Sequence, residues 1–314
     1  MGIIKNKIKQ IHCVKTLLEE INYNKIIDYN SLPQEEKIKM LMDKYERLVG
    51  YRMDINNPKT FTEKLQWYKL FYEGDGNLIR VVDKFLFKDY IKEKLGEGYT
   101  IPLFGVYESF SQLRKDWDGL PEEFVLKSTL SSDGKMIKFV HKKSQINMKE
   151  LKSEMEHWFK GKYLLSNGFC HAYNEGIPRV IAEQYLENVK DQLFDYKFFC
   201  FDGKPFCIYV AQDHFGKDGS HISFYDLDWN KLEVQYGNHI IGNADKPKHF
   251  EEMVRIAIML SSDLPFVRVD FFDTEDHLYV AELTLYPGAG YTKYKPESFN
   301  VKMGDLFKLP IRRK

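Results

Sequence analysis

Arg268, Asp270, Glu282 and Thr284 stand on two alternating runs, 266–272 and 278–286, separated by Asp273-Thr-Glu-Asp-His277. The runs are aromatic and β-branched and the break is polar, which predicts a β-hairpin. If 273–277 is the loop, paired residue numbers sum to an even value. Side chains repeat every two residues, so all four polar groups then share one face. Val267, Val269, Phe271, Tyr279, Ala281, Leu283 and Leu285 take the other face. Phe266, Phe272, Val280 and Tyr286 bracket the charges. Carboxylates set among apolar groups need a cation or a metal, or they lose their charge. One Arg and two carboxylates beside Pro287-Gly-Ala-Gly290 suit magnesium and phosphate. The plain alternative is a sheet with one wet face. Two facing carboxylates also predict that neutralising either one relieves repulsion.

Three lysines extend the set. Lys84 opens a predicted helix running from about 83 to 95, with Lys88 one turn further on, and Gly96 ends it. Lys127 interrupts the apolar strand Phe124-Val-Leu-Lys127, so it meets an anion or snorkels to an edge. Thr129-Leu-Ser131-Ser132-Asp-Gly134-Lys follows, leading into a strand at 136–140. Such a loop either sets N–H groups and hydroxyls against phosphate or is an ordinary turn. Lys197 shares a face with Phe199 and Phe201 in a further hairpin, turned at Asp202-Gly203 and closed by 206–212. It belongs at a sheet edge or among the phosphate contacts, and is counted with the latter.

Composition narrows the partners. The 314 residues carry 46 basic and 46 acidic groups, so no global field favours nucleic acid. Cys13, Cys170, Cys200 and Cys207 show no metal-ligand spacing, and Cys200 and Cys207 fall on opposite strands. No apolar run is long enough to span a membrane, and no leader-type apolar segment is evident, so a cytoplasmic location is expected. Residues 2–20 place Ile3, Ile4, Ile8, Ile11, Val14 and Leu18 at helical spacing among lysines. This helix packs on its own domain or makes peripheral contact with the inner face of an anionic membrane.

The elements that position these groups alternate between helices and hairpins. Ser31 is read as the start of a helix over 33–48, and Thr60-Phe-Thr-Glu63 as a capping box. Asn147 caps a helix to about 159; helices also fall within 245–262 and over 296–306. Residues 101–107 and 179–187 read as strands. Three hairpins separated by helices predict an α+β protein with mainly antiparallel sheets.

These residues resemble the ATP-grasp superfamily, and within it the TupA-like branch linked to teichuronopeptide and capsular polysaccharide synthesis. The likeness runs in order over about 40–310. Its landmarks are Asn57-Pro-Lys-Thr-Phe-Thr-Glu-Lys, Asp83-Lys84, Ile101-Pro-Leu-Phe-Gly-Val-Tyr, Phe124-Val-Leu-Lys127, Asp195-Tyr-Lys-Phe-Phe-Cys-Phe-Asp-Gly-Lys, Phe224-Tyr-Asp-Leu-Asp-Trp-Asn, Phe266-Val-Arg-Val-Asp-Phe and Glu282-Leu-Thr-Leu-Tyr-Pro-Gly. Where the branch usually carries His-Gly-Ser-Gly-Gly, this chain has Leu130-Ser-Ser-Asp-Gly134; Asp213-His214 stands where the branch tends to have Asp-Arg.

The resemblance implies an ATP-grasp fold, with ATP held between two α+β subdomains. The expected division is a helical region 1–98, a subdomain 99–182 with the phosphate loop, and a subdomain 183–314 with the metal site. Lys84 and Lys127 would meet the nucleotide phosphates, with Ser131, Ser132 and Gly134 in the flexible loop. Glu183, Tyr185 and Leu186 would line the adenine hinge, and Glu187 would reach the ribose. Asp270, Glu282 and Thr284 would hold Mg2+, while Arg268 and Lys127 stabilise the transferring phosphoryl group. The expected activity is an ATP-dependent carboxylate–amine ligase that acts through an acylphosphate. Its partners would be a sugar acid or polysaccharide precursor and an amine donor. A glycan kinase, a glycosyltransferase of the same pathway type, or a non-catalytic nucleotide-binding subunit are the alternatives.

Overall fold

The computed structural model describes residues 32–74, 78–131, 136–159, 169–173, 176–186, 194–212, 221–274 and 276–310. The 2–20 stretch, Ser31, Cys13, Ser132, Gly134, Glu187 and the Asp213-His214 pair lie outside them. Among the described residues no helix is long and apolar enough to cross a membrane.

Four helices come first: α1 (Gln34–Val49), α2 (Phe61–Phe71), α3 (Leu78–Val82) and α4 (Leu86–Leu95). α1 begins after Pro33, which makes no side-chain cap. The capping box at α2 forms as expected, with Thr60 and Glu63 each satisfying the other's backbone N–H. The helix expected from about 83 to 95 starts instead at Leu86, after a break at 83–85 that follows α3. There the Asp83 carboxylate accepts from the N–H groups of Phe85 and Leu86 at 2.8 and 3.0 Å. That break turns Lys84 out of helical register and frees it for the site.

A four-stranded antiparallel sheet follows, built from β1 (Leu103–Tyr107), β2 (Phe124–Ser128), β3 (Ile137–Val140) and β4 (Val180–Gln184) in the order β1-β4-β2-β3. α5 (Phe110–Asp116) and α6 (Met148–Met155) accompany it. One face carries Phe124, Leu126, Val140, Val180 and Ala182 into a small core closed by Trp117, Leu151 and Trp158. Alternation therefore sends Lys127 and Glu183 to the opposite face together.

The larger sheet has seven strands. β5 (Asp195–Phe201), β6 (Lys204–Gln212), β7 (His221–Tyr225), β8 (Lys231–Leu232), β10 (Ile240–Ile241), β11 (Phe266–Asp273) and β12 (Leu278–Thr284) form it, in the order β10-β7-β6-β5-β11-β12 with β8 on β7. Every pair is antiparallel except β10 with β7. A two-stranded pair joins β9 (Gln235–Tyr236) to β13 (Tyr294–Lys295). α7 (Phe250–Ser261) packs its Phe250 ring 6.0 Å from Phe198 on one face. On the other, Phe61 of α2 meets Phe199, Phe201 and Phe266 at 6.0, 5.7 and 4.9 Å. α8 (Glu297–Leu306) closes that end, Gly304 lying directly against the backbone of 59–61.

The Asp202-Gly203 turn forms as read, both residues with positive φ, 49° and 73°. Mainly antiparallel sheets with interspersed helices make the chain α+β. The core of the larger sheet includes Phe61, Leu65 and Tyr68 of α2 and Phe87 and Ile91 of α4. α2, α3 and α4 are thus built into that core, while α1 packs its Leu41 and Tyr45 into a separate cluster with Met53, Ile55 and Trp67. β4 pairs with β2 as far as Gln184, so Glu183 lies inside a strand of the smaller sheet.

Candidate active site

The β11–β12 hairpin supplies the central group. Asp270 pairs with Glu282 and Arg268 with Thr284, so these four side chains do share a face. The parity holds only that far. Between Asp270 and Phe271 the register shifts, and Phe271 pairs with Val280 and Phe272 with Tyr279. The reason is a β-bulge opposite that step, which adds one residue on β12. Tyr279 therefore shares a face with Phe272 and is half-buried, whereas Val280 joins Phe271 in the core. The expected placement of Tyr279 with the apolar face is corrected accordingly.

Asp270 is fully buried and its two oxygens are held by cations. Arg268 donates through Nε to Oδ1 at 2.7 Å and through Nη2 to Oδ2 at 2.6 Å. Lys197 Nζ donates to Oδ2 at 2.7 Å and also to Asp195 Oδ2. Lys197 thus sits opposite Asp270 on the neighbouring strand β5, inside the sheet and away from its edges. Burial pushes the Asp270 carboxyl up, to about 6, against the opposing pull of Arg268 and Lys197. Burial works against the charges of Arg268 and Lys197 as well, but their carboxylate neighbours outweigh it, and both end above their usual range. The expected relief of repulsion between Asp270 and Glu282 is not what the packing offers, because Asp270 is the counter-ion of two buried cations.

Glu282 is held more loosely. Its Oε1 accepts from Arg268 Nη2 at 3.3 Å and from Thr284 Oγ1 at 3.0 Å, and its Oε2 lies 3.9 Å from Lys84 Nζ. A third of its side chain remains exposed. Burial raises its pKa, but Lys84, Lys197 and Arg268 together hold it below the usual carboxylate range. The three oxygen-bearing residues Asp270, Glu282 and Thr284 form a hard donor set with no nitrogen or sulfur, the kind magnesium takes. Glu282 has room for an ion as it stands; Asp270 would have to exchange a contact with Arg268 or Lys197.

Lys84 ties this hairpin to the smaller sheet. Its N–H donates to Thr129 O at 3.0 Å, and its ammonium donates to Ser131 O. Lys84 and Ser131 therefore lie side by side. Lys127 meets an anion, as one of its two readings required: its Nζ lies 2.8 Å from Glu183 Oε2. Lys88 Nζ takes the other oxygen of Glu183, Oε1, at 2.5 Å and donates to Ile101 O at 2.7 Å. Burial alone would raise Glu183, yet Lys127 and Lys88 hold it below the usual range. Burial lowers the pKa of Lys88 despite that partner.

Tyr185 and Leu186 continue from β4 on the same side. The Tyr185 ring stands nearly perpendicular to Phe139 and His141, with centroids at 6.2 and 5.1 Å. Glu183, Lys127 and Lys88 therefore form one group, with Lys127 on the strand that leads to Thr129 and Ser131, and Arg268, Asp270, Glu282, Thr284 and Lys197 a second. Lys84 reaches Ser131 on one side and Glu282 on the other.

Two participants escaped the sequence reading. Asp195 is two residues before Lys197, and period two already put it on the same face. Lys88 was visible as the next turn after Lys84, but nothing local told which partner it would find. A third buried lysine, Lys69 of α2, lies beside the 287–290 turn. It donates to Ala289 O at 2.9 Å and stands 4.4 Å from the Tyr291 ring centroid. Burial lowers its pKa to about 7.

Comparison with known proteins follows the same line. The TupA-like ATP-grasp family matches residues 63–308. No curated protein matches the chain. Among solved structures, D-alanine–D-alanine ligase from Bacillus anthracis is similar at 18% identity and a TM-score of 0.38, covering 65% of this chain and 57% of its own. The same enzyme from Helicobacter pylori gives 16% identity and a TM-score of 0.40 over 74% and 62%. The ATP-grasp ligase PsnB, complexed with a minimal precursor, Mg and ADP, gives 12% and 0.36 over 71% and 57%. The chain thus spans roughly six tenths of the length of these structures. With the family match covering both sheets and every described residue of the two charged groups, the chain belongs to the TupA-like ATP-grasp family.

Proposed function

We propose that the chain is an ATP- and magnesium-dependent ligase that joins a carboxylate to an amine. The observation that carries this reading is a pair of neighbouring charge clusters: Lys84, Lys197 and Arg268 on the Glu282 and Asp270 oxygens, and Lys127 with Lys88 on Glu183. Such a set neutralises and orients a triphosphate and a transferring phosphoryl group. The described cysteines, Cys170, Cys200 and Cys207, are buried and burial pushes each thiol up, so none of them is poised as a nucleophile. In this reading the substrate supplies its own.

Lys127 and Lys84 bind the phosphates, with Ser131 and its neighbours Ser132 and Gly134 covering them. Glu183, Tyr185 and Leu186 receive the adenine edge and Glu187 the ribose. Glu282 and Asp270 would hold Mg2+, with Thr284 orienting Glu282, and the ion would supply Lewis-acid polarisation of the phosphate oxygens. A carboxylate oxygen of the acceptor attacks the γ-phosphorus, the bond to ADP breaks, and Arg268 balances the charge on the transferring group. The amine then attacks the acyl carbon and phosphate leaves, giving the amide. The chain's likeness to the branch linked to teichuronopeptide and capsular polysaccharide synthesis supports a sugar-acid acceptor from a surface polysaccharide. The two working units divide after β4, between Gln184 and Asp195.

The test uses ATP, magnesium and candidate uronic acids, with hydroxylamine in place of the amine. ADP together with a hydroxamate is expected. A stable phosphate ester would replace the ligase reading by a kinase. Consumption of a sugar nucleotide with ATP intact would replace it by a glycosyltransferase. Binding of ATP without turnover on any acceptor would favour a nucleotide-binding subunit.

A further inference from the structure

We propose that Lys88 is a positioning residue for the nucleotide site: it remains on Glu183 as a fixed counter-ion so that Lys127 can leave Glu183 for a phosphate. The inference rests on the ATP-site reading above and assigns a role to a residue that reading does not use.

The geometry separates the two lysines by origin. Glu183 and Lys127 stand on adjacent strands of the four-stranded sheet, where Glu183 pairs with Val125 and Lys127 with Ile181. Lys88 comes from α4, whose Phe87 and Ile91 are buried in the core of the seven-stranded sheet. The Lys88–Glu183 contact therefore crosses from one unit to the other. Lys88 Nζ is fixed at two points, Glu183 Oε1 and Ile101 O, the latter just ahead of β1. Lys127 has Glu183 as its ion-pair partner and is the more exposed of the two, 18% against 11% by side chain.

The energetics decide which lysine moves. Glu183 is buried, with 6% of its side chain exposed. A buried carboxylate stripped of every cation is strongly unfavourable. With Lys127 as its sole partner, nucleotide binding would have to break the pair and leave Glu183 bare. With two ammonium groups on one carboxylate, the cluster carries one surplus positive charge. An incoming phosphate takes that surplus by drawing Lys127 away, and Glu183 keeps Lys88. Lys88 thus lowers the cost of releasing Lys127 without touching the nucleotide.

The experiment is calorimetric titration of MgATP into the full chain, its Lys88→Met and Lys88→Arg variants, and the double variant Lys88→Met/Glu183→Gln. Lys88→Met is expected to bind ATP roughly tenfold or more weakly, because Lys127 is then locked to Glu183. Lys88→Arg, which keeps the charge, should stay within about threefold of the wild type. The double variant should bind ATP more tightly than Lys88→Met, since a neutral amide in place of the Glu183 carboxylate needs no counter-ion while its oxygen still accepts from the adenine edge; a merely structural role for Lys88 would show no such recovery. Unchanged affinity in Lys88→Met, or a double variant as weak as the single one, overturns the proposal. If Lys88→Met does not fold, the double variant decides: folding with MgATP binding supports the role, and failure to fold or to bind overturns it. A wild type that binds no MgATP overturns the nucleotide reading and this role with it, a failure visible before any substitution is made.

Discussion

Asp270 lies directly across the β11–β12 hairpin from Glu282, yet the two carboxylates live in different worlds. Asp270 is sealed from solvent between Arg268 and Lys197, while Glu282 keeps a third of its side chain open to solvent. Substitutions at the two positions should therefore part company in stability. Asp270→Asn leaves Arg268 and Lys197 short of a buried counter-ion and should cost on the order of 3 kcal/mol in urea unfolding. Glu282→Gln should stay within about 1 kcal/mol of the wild type, because its pairs are longer and partly solvated. Both should lose magnesium-dependent turnover. Equal stability losses would remove the burial argument, and wild-type turnover in both would make the hairpin structural only.

Lys127→Met and Lys84→Met should each weaken ATP binding by about 1.5–3 kcal/mol, the worth of one charged phosphate contact. Neither should unfold the chain. Glu183 retains Lys88 when Lys127 is removed, and Glu282 retains Arg268 and Thr284 when Lys84 is removed. Calorimetry showing unaltered affinity in both variants would take these lysines out of the site.

Lys69 should make stability rise with alkaline pH. Burial lowers its folded pKa from 10.5 to about 7, so between those values the unfolded chain binds a proton that the folded chain does not. Stability linked to this group is then lowest below about pH 7 and increases toward pH 10. Urea unfolding at pH 7.5 and at pH 9.5 tests it, as the difference between wild type and Lys69→Met. The wild type should gain up to a few kcal/mol over that interval relative to the variant. A pH-independent difference would mean that Lys69 keeps its proton in the fold.

Gly304→Ala should destabilise the protein by about 1–3 kcal/mol through overpacking. A methyl there would fall 2.1 Å from Lys59 O and 2.9 Å from Phe61 N, backbone atoms that α8 and the capping box of α2 hold in place. Thermal unfolding at the wild-type midpoint would show that the helices can slide apart.

What the chain's order of residues determined by itself is what local periodicity and local hydrogen bonding control. Period two put Arg268, Asp270, Glu282 and Thr284 on one face. The Thr60/Glu63 capping box and the Asp202-Gly203 turn close within a few residues, so their chemistry was legible without neighbours. Tertiary structure decided the rest. The bulge that carries Tyr279 to the face of Phe272 depends on how β12 meets β11, and no property of residues 278–284 announces it. Nor does any local pattern say that Lys197, 73 residues from Asp270, is its counter-ion. The same holds for Lys88 of α4, whose partner Glu183 lies on a strand of the smaller sheet. An ion pair gains its strength from burial, and burial belongs to the packed molecule: the same lysine is a solvated charge on one helix and a fixed counter-ion on the next.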